Sequence, residues 1–118
     1  MNSIRNSVLL IGNLGKDPEY KTLENGKSFA RVSLATNEVY RNQKGDKVTS
    51  TQWHTCVAWG KKADLMTELL HKGKEVVIKG KLTYRNYEDK EGVTRYLSEI
   101  LVDEFVMLSN GQRLSSGF

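Results

Sequence analysis

The chain has 118 residues, enough for one domain with a modest core. Its 18 Lys and Arg against 14 Asp and Glu give a formal charge of +4, a mild excess that favours an anionic partner without naming one, and no apolar run approaches the ~18–20 residues of a membrane-spanning helix. A single cysteine excludes an internal disulfide framework and the N-terminal residues carry no apolar signal-peptide core, so a soluble protein in a reducing, cytoplasmic setting is expected.

Residues 7–14 form a short apolar run closed by Gly12 and Gly15, which predicts a buried first strand. Lys16 to Glu19 breaks the pattern at Pro18, the only proline, and Glu24 to Lys27 is a turn signal before the next strand. In that second strand, Ser28 to Asn37, the even positions Ala30, Val32, Leu34 and Thr36 can face a core while Phe29, Arg31 and Ser33 point outward. The polar segment Glu38 to Ser50 reads as a hairpin loop with its tip at Asn42–Asp46 and with Tyr40 and Arg41 at its base. Thr51 to Trp59 is the third strand, bounded by polar residues and rich in Thr, Val and Trp. Trp53 and Trp59 share a parity, and Cys56 and Ala58 on the opposite face are better suited to close packing. The indoles are then free to form a surface, although two tryptophans on one strand can also be core filling.

Ala63 to Lys72 carries Leu65, Met66, Leu69 and Leu70 at helical spacing and predicts an amphipathic helix whose leucine stripe is core, ended by Lys72 and a C-capping Gly73. Glu75 to Leu82 predicts a fourth, buried strand with Gly80 as a bend, running on through Tyr84, Arg85 and Tyr87 to a turn at Glu88–Gly92. Thr94 to Val102 predicts the fifth, with Tyr96, Ser98, Ile100 and Val102 on one parity. Three strands, one helix and two strands is the layout of an all-β, five-stranded OB-fold Greek-key barrel with its helix between strands 3 and 4, a pattern other small barrels share in part. In an OB-fold, ligands cross strands 2 and 3 and are gripped by the 1–2 and 4–5 loops, where Phe29, Arg31, Tyr40, Trp53, Trp59, Tyr84, Arg85 and Tyr87 fall.

Over about its first 108 residues the chain resembles the bacterial single-stranded DNA-binding protein family. The matching segments are Gly12 to Glu19, Ser33 to Asn37, Trp53-His54, and Gly80-Lys81-Leu82 followed by Arg85 and Tyr87. The resemblance implies a domain at 1–108, a short flexible tail at 109–118, and a homotetramer that holds single-stranded DNA without sequence preference in replication, recombination and repair, with a nucleoid-associated location. Carried over by position, the base-stacking aromatics are Tyr40, Trp53, Trp59 and Tyr87. Well-known members have tryptophan at the Tyr40 and Tyr87 positions and often phenylalanine at the Trp59 position, so stacking capacity is retained with less area at the two phenols. His54 falls on a position that supports the subunit interface. Arg31, Lys61, Lys72, Arg85 and Arg95 are the expected phosphate contacts, with Arg85 and Arg95 flanking the hairpin beside Tyr87. Family members usually continue into a Gly-, Pro- and Gln-rich linker with an acidic tip ending in Pro-Phe, through which replication and repair proteins are recruited. Residues 114–118 keep a terminal Phe118 without the proline or the acidic cluster, so recruitment through that handle is not expected from these residues.

No metal, cofactor or catalytic role is expected. His54 and Cys56 share a strand face, but two ligands are too few for zinc and His71 has no partner at ligand spacing. Gly12-x-x-Gly15-Lys16 lacks the Walker spacing and reads as a strand end. The alternative reading is an OB-fold protein-interaction module of the primosome-accessory type with weak DNA binding. Relatives of that kind tend to lose the stacking aromatics, whereas four remain here.

Overall fold

The computed structural model describes residues 4–108, so the expected tail at 109–118 lies outside the described residues. After a single 3₁₀ turn at Ile4–Asn6 come strands β1 (Val8–Leu14), β2 (Glu19–Thr22), β3 (Ser28–Arg41) and β4 (Lys47–Trp59), helix α1 (Lys61–Leu69), then β5 (Glu75–Glu88) and β6 (Thr94–Met107). The strands hydrogen-bond in the order β1-β5-β6-β4-β3-β2, and β1 returns to pair with β3, closing a five-stranded barrel with β2 as an outer appendage. All neighbours are antiparallel except β4 and β6, which meet in parallel at Cys56↔Ile100 and Val57↔Leu101. This is the OB-fold. Because β2 is an additional strand, the helix lies between β4 and β5, at the place in the barrel where it was expected.

Alternation builds the core. Ala30, Val32 and Leu34 of β3, Cys56 and Ala58 of β4, Val76 and Ile78 of β5, and Ile100 and Val102 of β6 are buried together. Helix α1 lies against β3 and β4 and buries Ala63 and Met66 in the core, which Leu70 just beyond it joins. Leu65 and Leu69, expected in the core stripe, are exposed. The helix also stops at Leu69 because Leu70 turns into the core in an extended conformation, and Gly73 serves the following turn, donating its N–H to Leu14 O at 2.9 Å.

Two further corrections share one cause. The segment read as a loop from Glu38 to Ser50 is mostly strand, paired without interruption from Phe29↔Trp59 to Arg41↔Lys47. It is polar because a two-stranded arm beyond the barrel shows both faces to water, so no alternation marks it. The four-residue β2 is exposed throughout and equally silent in hydropathy; the Tyr20 hydroxyl anchors it through Ser28 Oγ at 2.9 Å and Asp64 Oδ1 at 2.8 Å. β6 runs five residues beyond its expected end at Val102 and pairs with β5 across an irregularity at Lys79/Gly80.

Closure depends on close backbone approach. A Cβ on Gly12 would collide with the carbonyl oxygen of Ala35, and one on Gly80 with that of Leu101. Gly12→Val should therefore push β1 from β3 and lower stability by at least about 2 kcal/mol, read from the urea midpoint. An unchanged midpoint would show that this contact is not needed for closure.

Candidate nucleic-acid interface

The outward face of the sheet opposite the core is set by register. Phe29 pairs with Trp59, Arg31 with Val57 and Ala35 with Trp53. Through Val57↔Leu101 the same face continues onto the odd positions of β6, and through Glu99↔Thr83 and Arg95↔Tyr87 onto those of β5. The Trp59 and Phe29 rings lie with centroids 4.6 Å apart at 56°, a tilted pair. Lys27 Nζ sits 5.1 Å from the Trp59 centroid and the Arg31 guanidinium carbon 5.5 Å from that of Phe29, so each ring carries a cation. Beside this cluster runs an open groove of about 590 Å³ bounded by Phe29, Arg31, Trp59, Thr83, Arg85 and Glu99.

Trp53 stands apart, 64% exposed. Its six-membered ring lies against Gly15, where a Cβ would come within 2.5 Å of Cζ3. Lys72 belongs to this end: its backbone N–H donates to Asp17 Oδ1 at 2.8 Å, in the loop that follows Gly15. Lys61 is exposed at the first position of α1, two residues beyond Trp59. Tyr87, 47% exposed, shares the outward parity and lies on the β5–β6 arm. Tyr40, 50% exposed, pairs with Val48 on the face opposite the tryptophans, out on the β3–β4 arm. Tyr84 and Tyr96 are exposed on the second arm and fill no core.

The two arginines flanking Tyr87 are both held by carboxylates. Arg85 pairs with Glu99 at 2.9 Å, which raises the affinity of its guanidinium for the proton, chiefly through this hydrogen bond. Arg95 Nε donates to Asp89 Oδ2 at 2.9 Å. That bond, then the backbone N–H of Val93, holds the Asp89 carboxyl below the usual carboxylate range. Sequence patterns do not single out Glu99 or Lys27. The only signal for Glu99 is an acid at an alternating strand position, and for Lys27 a base in a turn. Phe29 is legible from parity.

His54 lies on the core-side face, half-buried, its Nε2 3.0 Å from Thr36 Oγ1. Cys56 is fully buried, and desolvation pushes its thiol up to about 12. Among the described residues no group of three or more His, Cys, Asp or Glu could hold a metal ion, and no helix is long and apolar enough to cross a membrane. What the face offers is flat π-surface and fixed positive charge.

The OB-fold is a class of barrel whose members bind oligonucleotides and oligosaccharides. The chain is a member of the single-strand binding protein family, whose model matches residues 5–108. It is 41% identical over 104 residues to the Single-stranded DNA-binding protein 1 of Chlorobaculum tepidum, covering 87% of this chain and 64% of that one. It is 39% identical over 103 residues to the Single-stranded DNA-binding protein of Xanthomonas campestris, covering 87% and 60%. The chain thus spans about three-fifths of the length of these relatives. The structure of a Plasmodium falciparum SSB complex with ssDNA superposes with a TM-score of 0.79 at 30% identity, covering 92% of this chain and 100% of that one. A deletion mutant of the single-stranded DNA binding protein from Thermus aquaticus shares the fold, with a TM-score of 0.79 at 23% identity over 92% of this chain and 52% of that one.

The buried thiol gives a direct check on the site's chemistry. Cys56 should resist a thiol-specific reagent at pH 8 in the native protein and react at the rate of a free cysteine in urea. Fast labelling of the native protein would mean a reactive thiolate and reopen a nucleophilic role.

Proposed function

We propose that this chain binds single-stranded DNA without regard to sequence and protects it during replication, recombination and repair. The observation that carries the reading is the pair of half-buried Phe29 and exposed Trp59, with Lys27 and Arg31 over their rings, on one sheet face with Trp53. Bases stack on Trp53, Trp59 and Tyr87, each contributing roughly 1–3 kcal/mol, and every base has a π-face, so no sequence is preferred. Tyr40 faces the other way, so a strand that also stacks there has to pass round the β3–β4 arm. Arg31, Lys61 and Lys72 neutralise phosphates, and Arg85 and Arg95 offer the guanidinium edges that Glu99 and Asp89 leave open.

Assembly into a homotetramer is part of the same proposal. Residues 8–12 of β1 pair with β5 on one side, while β3 reaches only Asn13 and Leu14 on the other, so this length of β1 presents an edge. Ile11, Val77 and Val106 stand side by side across β1, β5 and β6, with exposed Leu9 beside them, an apolar stripe on a surface that water would otherwise meet. His54 is assigned to a subunit contact. Val106→Glu should lower the mass measured by light scattering below that of the tetramer; a variant that keeps the parent mass would move the interface elsewhere.

The binding test is a titration with oligo-dT at low and high salt, following tryptophan emission, with duplex DNA of equal phosphate content as control. Single strands alone should quench emission, saturating at a fixed nucleotide ratio, with affinity falling steeply as salt rises. Trp53→Ala and Trp59→Ala should each weaken binding by roughly 5- to 150-fold. Unchanged emission, or equal competition by duplex, would replace this reading with that of a protein-interaction barrel.

A further inference from the structure

Among the described residues Glu99 is the one buried charged side chain, at 5% exposure. Pairing of β5 with β6 does not need a carboxylate there. Thr83, its register partner, donates its hydroxyl to the Glu99 backbone carbonyl at 3.2 Å, and an apolar side chain of similar volume would fill the position without the cost of desolvating a charge. The carboxylate instead grips Arg85 as a fork. Arg85 Nε donates to Oε1 at 2.9 Å and Nη2 donates to Oε2 at 3.3 Å.

The pair is asymmetric. Glu99 is inside, whereas the Arg85 side chain is 48% exposed, and both line the groove beside Trp59 and Phe29. With Nε and one hydrogen of Nη2 engaged, Nη1 and the other hydrogen of Nη2 face away from the carboxylate. The guanidinium is therefore held in one orientation at the groove wall while the pair as a whole carries no net charge. Lys27 and Arg31, by contrast, lie over aromatic rings.

We propose that Glu99 is a positioning residue that cancels the charge of Arg85 while fixing its guanidinium, so that Arg85 meets a DNA phosphate as an oriented set of hydrogen-bond donors and not as a counterion. This rests on the single-stranded DNA reading above. It separates two contributions that other cations combine. A lysine or free arginine at a phosphate displaces condensed counterions and adds about 0.7 to the slope of log affinity against log salt on a single strand. Arg85, already neutralised, adds direction and almost no slope.

The test is an oligo-dT titration over a salt series with the parent protein, Glu99→Gln, and the double variant Arg85→Gln/Glu99→Gln, each checked by thermal melting. Glu99→Gln unmasks the arginine and should steepen the slope by about 0.7. The double variant should keep the parent slope but bind roughly tenfold more weakly at every salt concentration, having lost the oriented donors. A staple that only joined the two strands would leave the slope unmoved in both variants. An unchanged slope in Glu99→Gln, or a double variant shallower by about 0.7, overturns the proposal. If Glu99→Gln alone does not fold, the double variant decides by affinity: a folded double variant that binds oligo-dT as tightly as the parent at every salt concentration overturns the proposal, and a roughly tenfold loss at the parent slope supports it. Failure of the parent protein itself to bind oligo-dT would instead remove the underlying DNA reading.

Discussion

Because Gly12 has no side chain, β1 can pass close against the backbone of β3 at Ala35 and hydrogen-bond to it through Asn13 and Leu14, and that short crossing turns a six-stranded sheet into a closed barrel. The candidate interface is tied to the same spot. Ala35 is the register partner of Trp53, and the indole lies against Gly15, three residues after Gly12 on the same chain segment. Gly15 in turn donates its N–H to Ser33 O at 3.0 Å. The contact that closes the core therefore also fixes the surface beneath one of the two tryptophans. Substituting either glycine reaches both functions at once, through the backbone at Gly12 and through an aromatic seat at Gly15.

Beyond the barrel, β3–β4 and β5–β6 continue as two-stranded arms. Inside the barrel a residue is placed by burial; on the arms it is placed by pairing and by its neighbours' charge. The arms consequently carry the long polar and aromatic side chains, Tyr40, Tyr84, Tyr87 and Tyr96, at little cost to the core. They also carry internal carboxylate partners for Arg85 and Arg95. An arm studded with unpaired cations would repel itself and wander; one whose arginines are held from behind by Glu99 and Asp89 keeps a defined shape. Asp89 does more than pair, since its Oδ1 accepts the backbone N–H groups of Glu91 and Val93 at 2.9 and 3.0 Å and so shapes the turn itself.

The chemistry absent from the interface follows from the same geometry. Alternation that sends Trp53, Thr55, Val57 and Trp59 outward sends His54 and Cys56 inward, where burial keeps the thiol protonated. A strand committed to presenting aromatic surface has thereby placed its two most reactive side chains away from that surface.

Much of this architecture is legible in the order of residues alone. Alternation in Ser28–Asn37 and Thr51–Trp59 determined which side chains point to the barrel core and which to the outer face, because burial on one side of a strand leaves a period of two in the sequence, although Val57 on the outward parity is buried as well. The barrel layout followed from the order of elements, and the family from segments in matching order and spacing. Tertiary structure alone decided the rest. The arm from Glu38 to Ser50 left no hydropathy signal because both its faces meet water. Leu65 and Leu69 looked like core because helical spacing shows that a stripe exists but not how much of it a small barrel can cover. Tyr40 was grouped with the tryptophans by position, and only the unbroken register puts it on the opposite face. The pairing of Glu99 with Arg85 joins residues fourteen apart on different strands, a distance set by the β5–β6 register and legible in no local pattern.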